Sequence, residues 1–500
     1  MVTQKQKKVV VIGAGAGGLS AAVQLARQGW SVCVLEKEDC PGGRLGALES
    51  EGYRIDLGAT ILMMYDVFEQ FFAGLGKDIN DYLSLTRLNP CYHLNFADGS
   101  RLSPSTDLKH NLDEIRSLCP ADVEGYLRYL AQIHRRYMTA RYEFIEKPMT
   151  RLREFLNVKT LAGLMRLKTL NNMYSDISRF VRDERVRMSL TFQSMYLGIS
   201  PFQTPSIYTI IPYVEHAHSG IWYPHGGMNA ITHALVRLLD EFGGELRLKA
   251  QVEKILIENN RVKGVLCTDG TTIAADIVVS NVDFPNTMRK LMPEGSTGTY
   301  TQARFAHMAN SCGCMMFYLG SKQKYDNLGV HNIYFTHEYK KTLDQVFVQK
   351  RLPDDPAVYL YAPSRIDPDV APAGHEVIYI LVPVPNLAGR VDWEKEAVAY
   401  RSVVYEKLER AGLPGLRQNI VFEKSADPTV FAERFNTFQG AGFGLAPTLF
   451  QSGYFRPGIK SKKIAGLYFA GASVHPGGGV PVVLVCGRHV ARQIQADYPV

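Results

Sequence analysis

Gly13-Ala-Gly15-Ala-Gly-Gly18 is the stretch whose residue types and spacing imply chemistry most directly. Each glycine has its own task in holding a dinucleotide: Gly13 permits a tight turn, Gly15 lets the backbone approach a pyrophosphate, and Gly18 lets a helix pack closely on a strand. The phosphates would rest on the positive N-terminus of the helix that begins there. Glycine-rich turns are common, so the hexapeptide alone is weak evidence. It gains weight from a second β-rich run, Ser31-Val-Cys-Val-Leu, that ends in Glu36, where a carboxylate is expected to accept hydrogen bonds from an adenosine ribose. A solvated charge at a strand end is the alternative for Glu36. Far along the chain, Gly466-Leu-Tyr-Phe-Ala470-Gly471-Ala472-Ser-Val-His475-Pro-Gly477-Gly478-Gly479-Val480-Pro481 reads as a buried strand, a glycine-rich loop and another helix start. The Gly471 amide can meet the pyrophosphate there, and three consecutive glycines would be entropically poor in a mere connector.

The elements that must position these residues are legible in outline. Lys7-Lys-Val-Val-Val-Ile12 is a β-branched run without a polar break, as expected of a strand buried on both faces, and an apolar helix follows it. From about Asn111 to Leu197 the chain turns helical and basic, with an apolar spacing of Leu127, Leu130, Ile133 and Tyr137. Within it, Arg151–Leu170 carries Leu152, Phe155, Leu156, Leu161, Leu164 and Met165 at helical spacing beside Arg151, Arg153, Lys159, Arg166 and Lys168. That pattern suits an amphipathic helix on anionic lipid and equally a solvated helix packed on the core by its leucine face. Trp222-Tyr-Pro-His225-Gly-Gly-Met228 precedes a helix through Leu239, after which the residues from Gly244 to Ile255 read as a strand, Glu258-Asn-Asn-Arg as a hairpin turn, and Ile277-Val-Val-Ser280 as another buried strand. From about Pro285 to Phe455, β-rich runs such as Val377-Ile-Tyr-Ile-Leu-Val-Pro alternate with turns and helices, as in a sheet roofing a cavity.

Composition narrows the class. The 500 residues are 46% hydrophobic and 21% charged, which suits a folded chain of roughly two or three domains. Eight cysteines without a paired CxxC spacing argue against a zinc site or a disulfide framework and fit a reduced, cytoplasmic compartment. A net charge of +7 favours an anionic membrane surface over nucleic acid, for which no reading motif is present. Lys5, Lys7 and Lys8 before an apolar run could pass for a secretory signal, but the glycine spacing and Glu36 explain those residues better. No run of about 18 apolar residues offers a membrane-spanning helix, so a membrane contact would be peripheral.

Glu36-Lys37 followed by Pro41-Gly42-Gly43-Arg44 resembles the second half of the long FAD signature of the amine oxidase and phytoene desaturase superfamily. The resemblance continues in Glu51-Gly-Tyr-Arg-Ile-Asp56-Leu-Gly58-Ala59-Thr60-Ile-Leu-Met-Met, which is similar to the motif with which carotenoid desaturases follow the Gly-Gly-Arg; a hairpin with a Met-rich core end is the alternative. The Ala-Ser-x-His-Pro-Gly-x-Gly-Val-Pro loop at 472–481 resembles bacterial carotenoid desaturases and is foreign to amine oxidases. Leu167-Lys-Thr-Leu-Asn, Phe192-Gln-x-x-Tyr196-Leu-Gly-Ile, Tyr208-Thr-Ile-Ile-Pro-Tyr-Val-Glu215 and Gly444-Leu-Ala-Pro-Thr-Leu-x-Gln-Ser-Gly-Tyr-Phe-Arg456-Pro look most like the thirty-carbon branch, the dehydrosqualene (4,4'-diapophytoene) desaturases.

The resemblance implies an α/β architecture: a Rossmann-type FAD-binding domain of the GR2-like flavoprotein fold with a discontinuous substrate domain of mixed sheet and helix. The expected division is 1–90, 222–285 and 458–500 for FAD, 91–221 for a helical insertion facing substrate and membrane, and 286–457 for the substrate domain. It places Gly13, Gly15, Gly18, Glu36, Lys37, Gly43, Arg44, Gly58, Ala59, Thr60, Val252, Gly471, Ala472, Val480 and Pro481 on the cofactor, Val252 through its backbone over the adenine, and expects no metal. A core valine in a hairpin is the plain alternative for Val252. The implied activity is FAD-dependent desaturation of a linear thirty-carbon carotenoid precursor delivered from a membrane, with quinone or oxygen reoxidising the flavin. The forty-carbon phytoene reaction, a terminal-methyl oxygenase of the same fold and a non-catalytic flavin scaffold stay open. An unactivated allylic C–H has no acidic proton, so the flavin carries the hydride chemistry and no general-base triad is expected. His475 is the one ionisable side chain of its loop expected near the flavin, as a catalytic group or as a structural donor.

Overall fold

A computed structural model describes residues 7–148 and 171–499; the amphipathic segment Arg151–Leu170 lies outside the described residues. Two sheets organise the chain. The first is parallel, in the order Leu467–Phe469, Ile277–Ser280, Lys8–Ile12, Ser31–Leu35 and Glu245–Arg247. Its strands come from three separated stretches of sequence. The two segments between them supply the second sheet and also add residues such as Phe68, Leu235 and Phe284 to the core of the first. Val9 to Ile12 are buried on both faces: the helices Ala16–Arg27 and Val480–Asp497 pack together in this core, and Ile255, Val262 and Val265 of an antiparallel meander join it. These helices meet closely: Ser20 Oγ donates to the Leu484 carbonyl at 2.8 Å, and a Cβ at Gly487 would lie 2.6 Å from the Ala21 nitrogen.

The second sheet has seven strands, in the order Ile420–Ala426, Gly313–Ser321, Glu376–Val384, Val358–Tyr361, His331–Tyr334, His93–Asn95 and Arg101–Leu102. All its pairings are antiparallel except that of His331–Tyr334 with His93–Asn95. Side chains of period two divide its faces. Ile378, Ile380 and Val382 join a core with Val404 and Leu408 of the helix Trp393–Arg410, whereas Tyr379, Leu381 and Pro383 face a cavity on the other side. The run read as the roof of a cavity therefore forms one wall of it.

Two local readings change. The residues from Gly244 to Ile255 split into Glu245–Arg247, which extends the parallel sheet, and Val252–Glu258, which opens an antiparallel meander with Arg261–Cys267 and Thr272–Ala274. The expected hairpin turn is present, with Asn259 and Asn260 both at positive φ. In the helix Val123–Ala140 the buried face is Tyr126, Tyr129, Ile133 and Tyr137, while Leu127 is exposed and Leu130 only half-buried. Tyrosines carry this face because their hydroxyls find partners inside: Tyr129 donates to the Thr209 carbonyl at 2.8 Å.

Candidate active site

A cavity of about 840 Å³ runs from the carboxyl ends of the parallel strands to the seven-stranded sheet. Its first half is built by glycines. Gly13 turns at φ +95° and its amide donates to the Leu35 carbonyl at 2.8 Å, which ties the two central strands at their ends. The helix Ala16–Arg27 then starts without a side-chain cap and without an acid in its first turn, so its amides and positive end are left for an anion. The helix Val480–Asp497 starts the same way, with Pro481 in its first turn, and Val480 and Pro481 line the same cavity. Two uncapped helix N-termini converging on one cavity fit a pyrophosphate and a ring system that gains negative charge when reduced. The donor set therefore fits FAD.

Glu36, 7% exposed, accepts the Ala14 amide at 2.7 Å and the Glu38 amide at 3.1 Å, so it is held at the cavity edge and is not a solvated strand-end charge. Lys37 lines the cavity while its Nζ donates to the Glu433 carbonyl at 2.8 Å. Gly43 and Arg44 follow a left-handed Gly42, and Arg44 Nη1 donates to the Gly442 carbonyl at 2.9 Å. The Arg44 carbonyl in turn accepts the Ala59 amide at 3.1 Å, and a Cβ at Gly58 would lie 2.6 Å from it, so Gly58, Ala59 and Thr60 are drawn against the Gly-Gly-Arg turn. Val252 enters the cavity rim at the start of its strand. Gly471 and Ala472 line it from the opposite strand end. Gly18 alone of the expected cofactor residues stays off the cavity wall. A Cβ there would strike the Gly13 carbonyl, which is the helix–strand packing role expected of it.

Several residues that hold this half together had no assigned role in the sequence. Asn281, just past the strand Ile277–Ser280, donates through Nδ2 to the Ala470 carbonyl at 2.9 Å, and its own amide donates to the Ile12 carbonyl at 2.8 Å. It fills the space left by Gly15, Gly17 and Gly471. Asp56 accepts the amides of Met228 and Asn229 at 3.0 and 3.2 Å and the Tyr361 hydroxyl at 3.2 Å, which caps the helix Asn229–Glu241 onto the motif that ends in Thr60. Burial pushes its pKa up to about 6 against those three donors. Arg456 is 5% exposed and donates to the carbonyls of Val474, Gln451, Leu445 and Ala472.

His475 is 2% exposed. Its ring bonds the Lys147 carbonyl at 2.7 Å through Nε2, which must therefore carry the proton, and Nδ1 has no partner among the described residues. Burial pushes its pKa down to about 4, so the ring is neutral at physiological pH. It joins the cofactor loop to the chain just after the helix Val123–Ala140, which His489 of the helix Val480–Asp497 also reaches through the Ile145 carbonyl at 2.9 Å.

The second half of the cavity is apolar. Ile61, Met63, Phe192, Ile207, Ile211 and Phe335 form its walls, with Tyr359 and Tyr379 from the sheet closest to the cofactor motif. The Tyr379 hydroxyl donates to the Gly58 carbonyl at 2.6 Å, and Thr60 Oγ1 bonds the Tyr359 hydroxyl at 2.6 Å, which continues to His331 Nδ1 at 2.8 Å. The hydroxyls are thus turned toward the backbone and one another, leaving ring faces and methyl groups for a substrate. Such walls bind hydrocarbon.

A Rossmann-type sheet, two bare helix N-termini and an attached apolar channel define an FAD-dependent oxidoreductase. The chain belongs to the carotenoid desaturase group of the flavin containing amine oxidoreductase family, whose model matches residues 16–495. A zeta-carotene-forming phytoene desaturase of Myxococcus xanthus is 38% identical over 98% of this chain and 94% of its own length. A 4,4'-diapophytoene desaturase of Staphylococcus haemolyticus is 37% identical over 98% and 99%. Among solved structures, an oxidoreductase from Methanosarcina mazei matches with a TM-score of 0.66 at 19% identity, covering 97% of this chain and all of its own. Cyclohexylamine oxidase from Brevibacterium oxydans matches with a TM-score of 0.60 at 15% identity, over 98% and 99%. The last two share the fold.

Proposed function

We propose that the protein removes hydrogen pairs from dehydrosqualene (4,4'-diapophytoene), a linear thirty-carbon carotenoid precursor, to give products of the 4,4'-diaponeurosporene type. The observation that carries the reading is the continuity of the FAD motifs with a channel whose walls are methyl groups and ring faces. FAD supplies the two-electron acceptor. The chain's own residues hold it and orient the substrate: Gly13, Gly15 and Gly471 let the backbone approach the pyrophosphate, Glu36 takes the ribose, Val252 borders the adenine, and Thr60 and Val480 border the ring system. His475 acts as a neutral structural donor that fixes the loop. Oxygen or a quinone takes the electrons afterwards. The forty-carbon reaction is the second reading, favoured by the phytoene desaturase relative from Myxococcus.

Expression in a bacterium that accumulates dehydrosqualene or phytoene tests both. The expected result is coloured thirty-carbon product that has lost two hydrogens per new double bond, read by absorption and mass. Conversion of phytoene alone would select the forty-carbon reading, a gain of oxygen would indicate a terminal-methyl oxygenase, and unchanged precursor beside flavin-loaded protein would overturn the desaturase reading.

A thirty-carbon hydrocarbon resides in a bilayer, and no helix among the described residues is long and apolar enough to cross one. We place the protein peripherally on the cytoplasmic face of the membrane. Phe450, 78% exposed, and Phe455, 52% exposed, stand on the cavity rim, and Lys462 lies 5.9 Å from the neighbouring Tyr454 ring centroid. Aromatic side chains with a nearby cation suit an anionic interface. Arg151–Leu170 adds basic and apolar residues by sequence. Replacing Phe450 and Phe455 together by Ser is expected to lower co-sedimentation with anionic vesicles at least tenfold, at roughly 1.5–3 kcal/mol per buried ring, while FAD stays bound. Unchanged sedimentation would move the docking surface elsewhere.

A further inference from the structure

Behind the apolar wall stands one carboxyl group without a cation. Glu215, in the π-helical turn Val214–His218, is fully buried; Val214 beside it lines the channel. Its Oε2 accepts the Tyr92 hydroxyl at 2.9 Å and Gln193 Nε2 at 3.0 Å. His216 Nε2 meets the same Tyr92 oxygen at 2.7 Å and, since that hydroxyl proton goes to Glu215, must donate to it. Gln193 and Tyr196 lie on one 3-10 turn, Phe192–Leu197, three residues apart and hence on the same side. The Tyr196 ring lines the channel, while its hydroxyl is buried toward Glu215, close enough to draw the carboxyl pKa down. Neither that hydroxyl nor Glu215 Oε1 closes a well-formed hydrogen bond among the described residues. Tyr196 also lies near Tyr359, which bonds Thr60 at the cofactor end. Among the described residues, the titratable groups around Glu215 are Tyr92, Tyr196, Tyr129, Cys91 and His216, and none of them is a cation at physiological pH.

This arrangement is odd for a site that binds only hydrocarbon. A buried, uncompensated carboxyl costs stability, and burial pushes this one up to about 7, so it is poised to ionise when a positive charge comes near. We propose that the Tyr196 ring backed by Glu215 is a cation-stabilising wall, which holds the positive charge on the substrate during desaturation and takes long-chain tertiary ammonium ions in the same place. The inference rests on the desaturase reading for its chemistry. One C–H bond of the substrate leaves with its electron pair to oxidised flavin, and the carbon becomes positive. The neighbouring C–H bond then breaks, its electron pair becomes the second carbon–carbon bond, and its proton goes to the reduced flavin, so that alkane plus FAD gives alkene plus FADH2. Between the two steps the ring face of Tyr196, with a carboxylate behind it, is the negative surface available to the cation. Asp56 has its oxygens engaged by three donors, and His331 and His475 are held neutral by burial.

Protonated N,N-dimethyldodecylamine against tetradecane, in the FAD-loaded protein and its Glu215→Gln and Tyr196→Leu variants, tests the wall. Binding is read from the flavin absorption change. The amine is expected to bind wild type roughly tenfold or more tightly than the alkane. Both variants are expected to lose that preference while keeping FAD and alkane affinity. Anaerobic bleaching of the flavin by dehydrosqualene should slow about a hundredfold in Glu215→Gln, as when a preorganised electrostatic group is removed. Thermal stability should fall as pH rises from about 4.3, where an unfolded glutamate ionises, through about 7, and Glu215→Gln should show a smaller fall, the remainder coming from other buried carboxyls such as Asp56. Equal amine affinity in wild type and both variants would overturn the proposal, and Tyr196→Leu decides alone if Glu215→Gln does not fold. A Glu215-dependent amine preference in a protein that forms no pigment would sink the desaturase reading and leave the wall standing; pigment with indifferent amine binding would do the reverse.

Discussion

Gly15→Val is expected to yield protein without flavin. A Cβ at this position would lie 2.6 Å from Asn281 Oδ1, and the Asn281 side chain cannot swing aside without giving up its 2.9 Å bond to the Ala470 carbonyl. The γ-carbons of valine would add to the collision and occupy the space a pyrophosphate needs at the first turn of the helix. Overpacking and a broken buried hydrogen bond together cost about 3–5 kcal/mol, which falls on the strand ends that form the cofactor site. The measurement is the ratio of flavin absorbance to protein in the purified variant, with a melting curve to show how much of the loss is folding. A full complement of flavin in this variant would remove the dinucleotide site from the first glycine motif and take the functional reading with it.

The first glycine motif was readable in the chain because its parts are contiguous. A strand, a glycine turn and a helix sit next to one another in sequence, with Gly13 required by its φ of +95° and Gly18 by a collision with the Gly13 carbonyl. Asn281 escaped notice for the opposite reason. Its role exists only where three strand ends meet, at Ile12, Ser280 and Ala470, and nothing in its own neighbourhood in sequence marks it. The channel is harder still. Tyr359, Tyr379 and Glu215 acquire meaning from pairings between distant segments, and an alternating strand reads the same whether its inner face meets a core or a cavity. The period in Val123–Ala140 was right in kind and half right in phase: Ile133 and Tyr137 are buried as expected, whereas Tyr126 and Tyr129 take the inward places given to Leu127 and Leu130. A buried tyrosine with a carbonyl to bond is as good a core residue as leucine.

Arg456→Met is expected to cost both stability and flavin. The side chain reaches four carbonyls: Val474 at 3.2 Å, Gln451 at 3.1 Å, Leu445 at 3.0 Å and Ala472 at 2.6 Å. Two of these belong to the loop that carries Gly471 to Gly479, and two to the segment that forms the cavity rim with Phe450 and Phe455. No carboxylate among the described residues pairs with Arg456; burial pushes its pKa down, and Asp283, itself held by the Ser473 hydroxyl and the Phe438 amide, partly offsets that. Carbonyls therefore do the work that a counter-ion does elsewhere, and a planar guanidinium is the side chain that can serve four of them at once. Methionine keeps the volume and removes every donor, leaving several buried acceptors unpaired at about 1–3 kcal/mol each before relaxation. A net loss of about 3–5 kcal/mol should appear as a lower melting temperature of the FAD-loaded protein. The glycine-rich loop, with no other buried side chain among the described residues spanning its two ends to that rim, should hold FAD at least tenfold more weakly. Lysine at this position supplies charge and three donors without the fork, and should restore part of both. A methionine variant that melts and binds flavin as wild type does would mean that the strand end at Phe469 and the helix start at Val480 hold the loop without help from the rim.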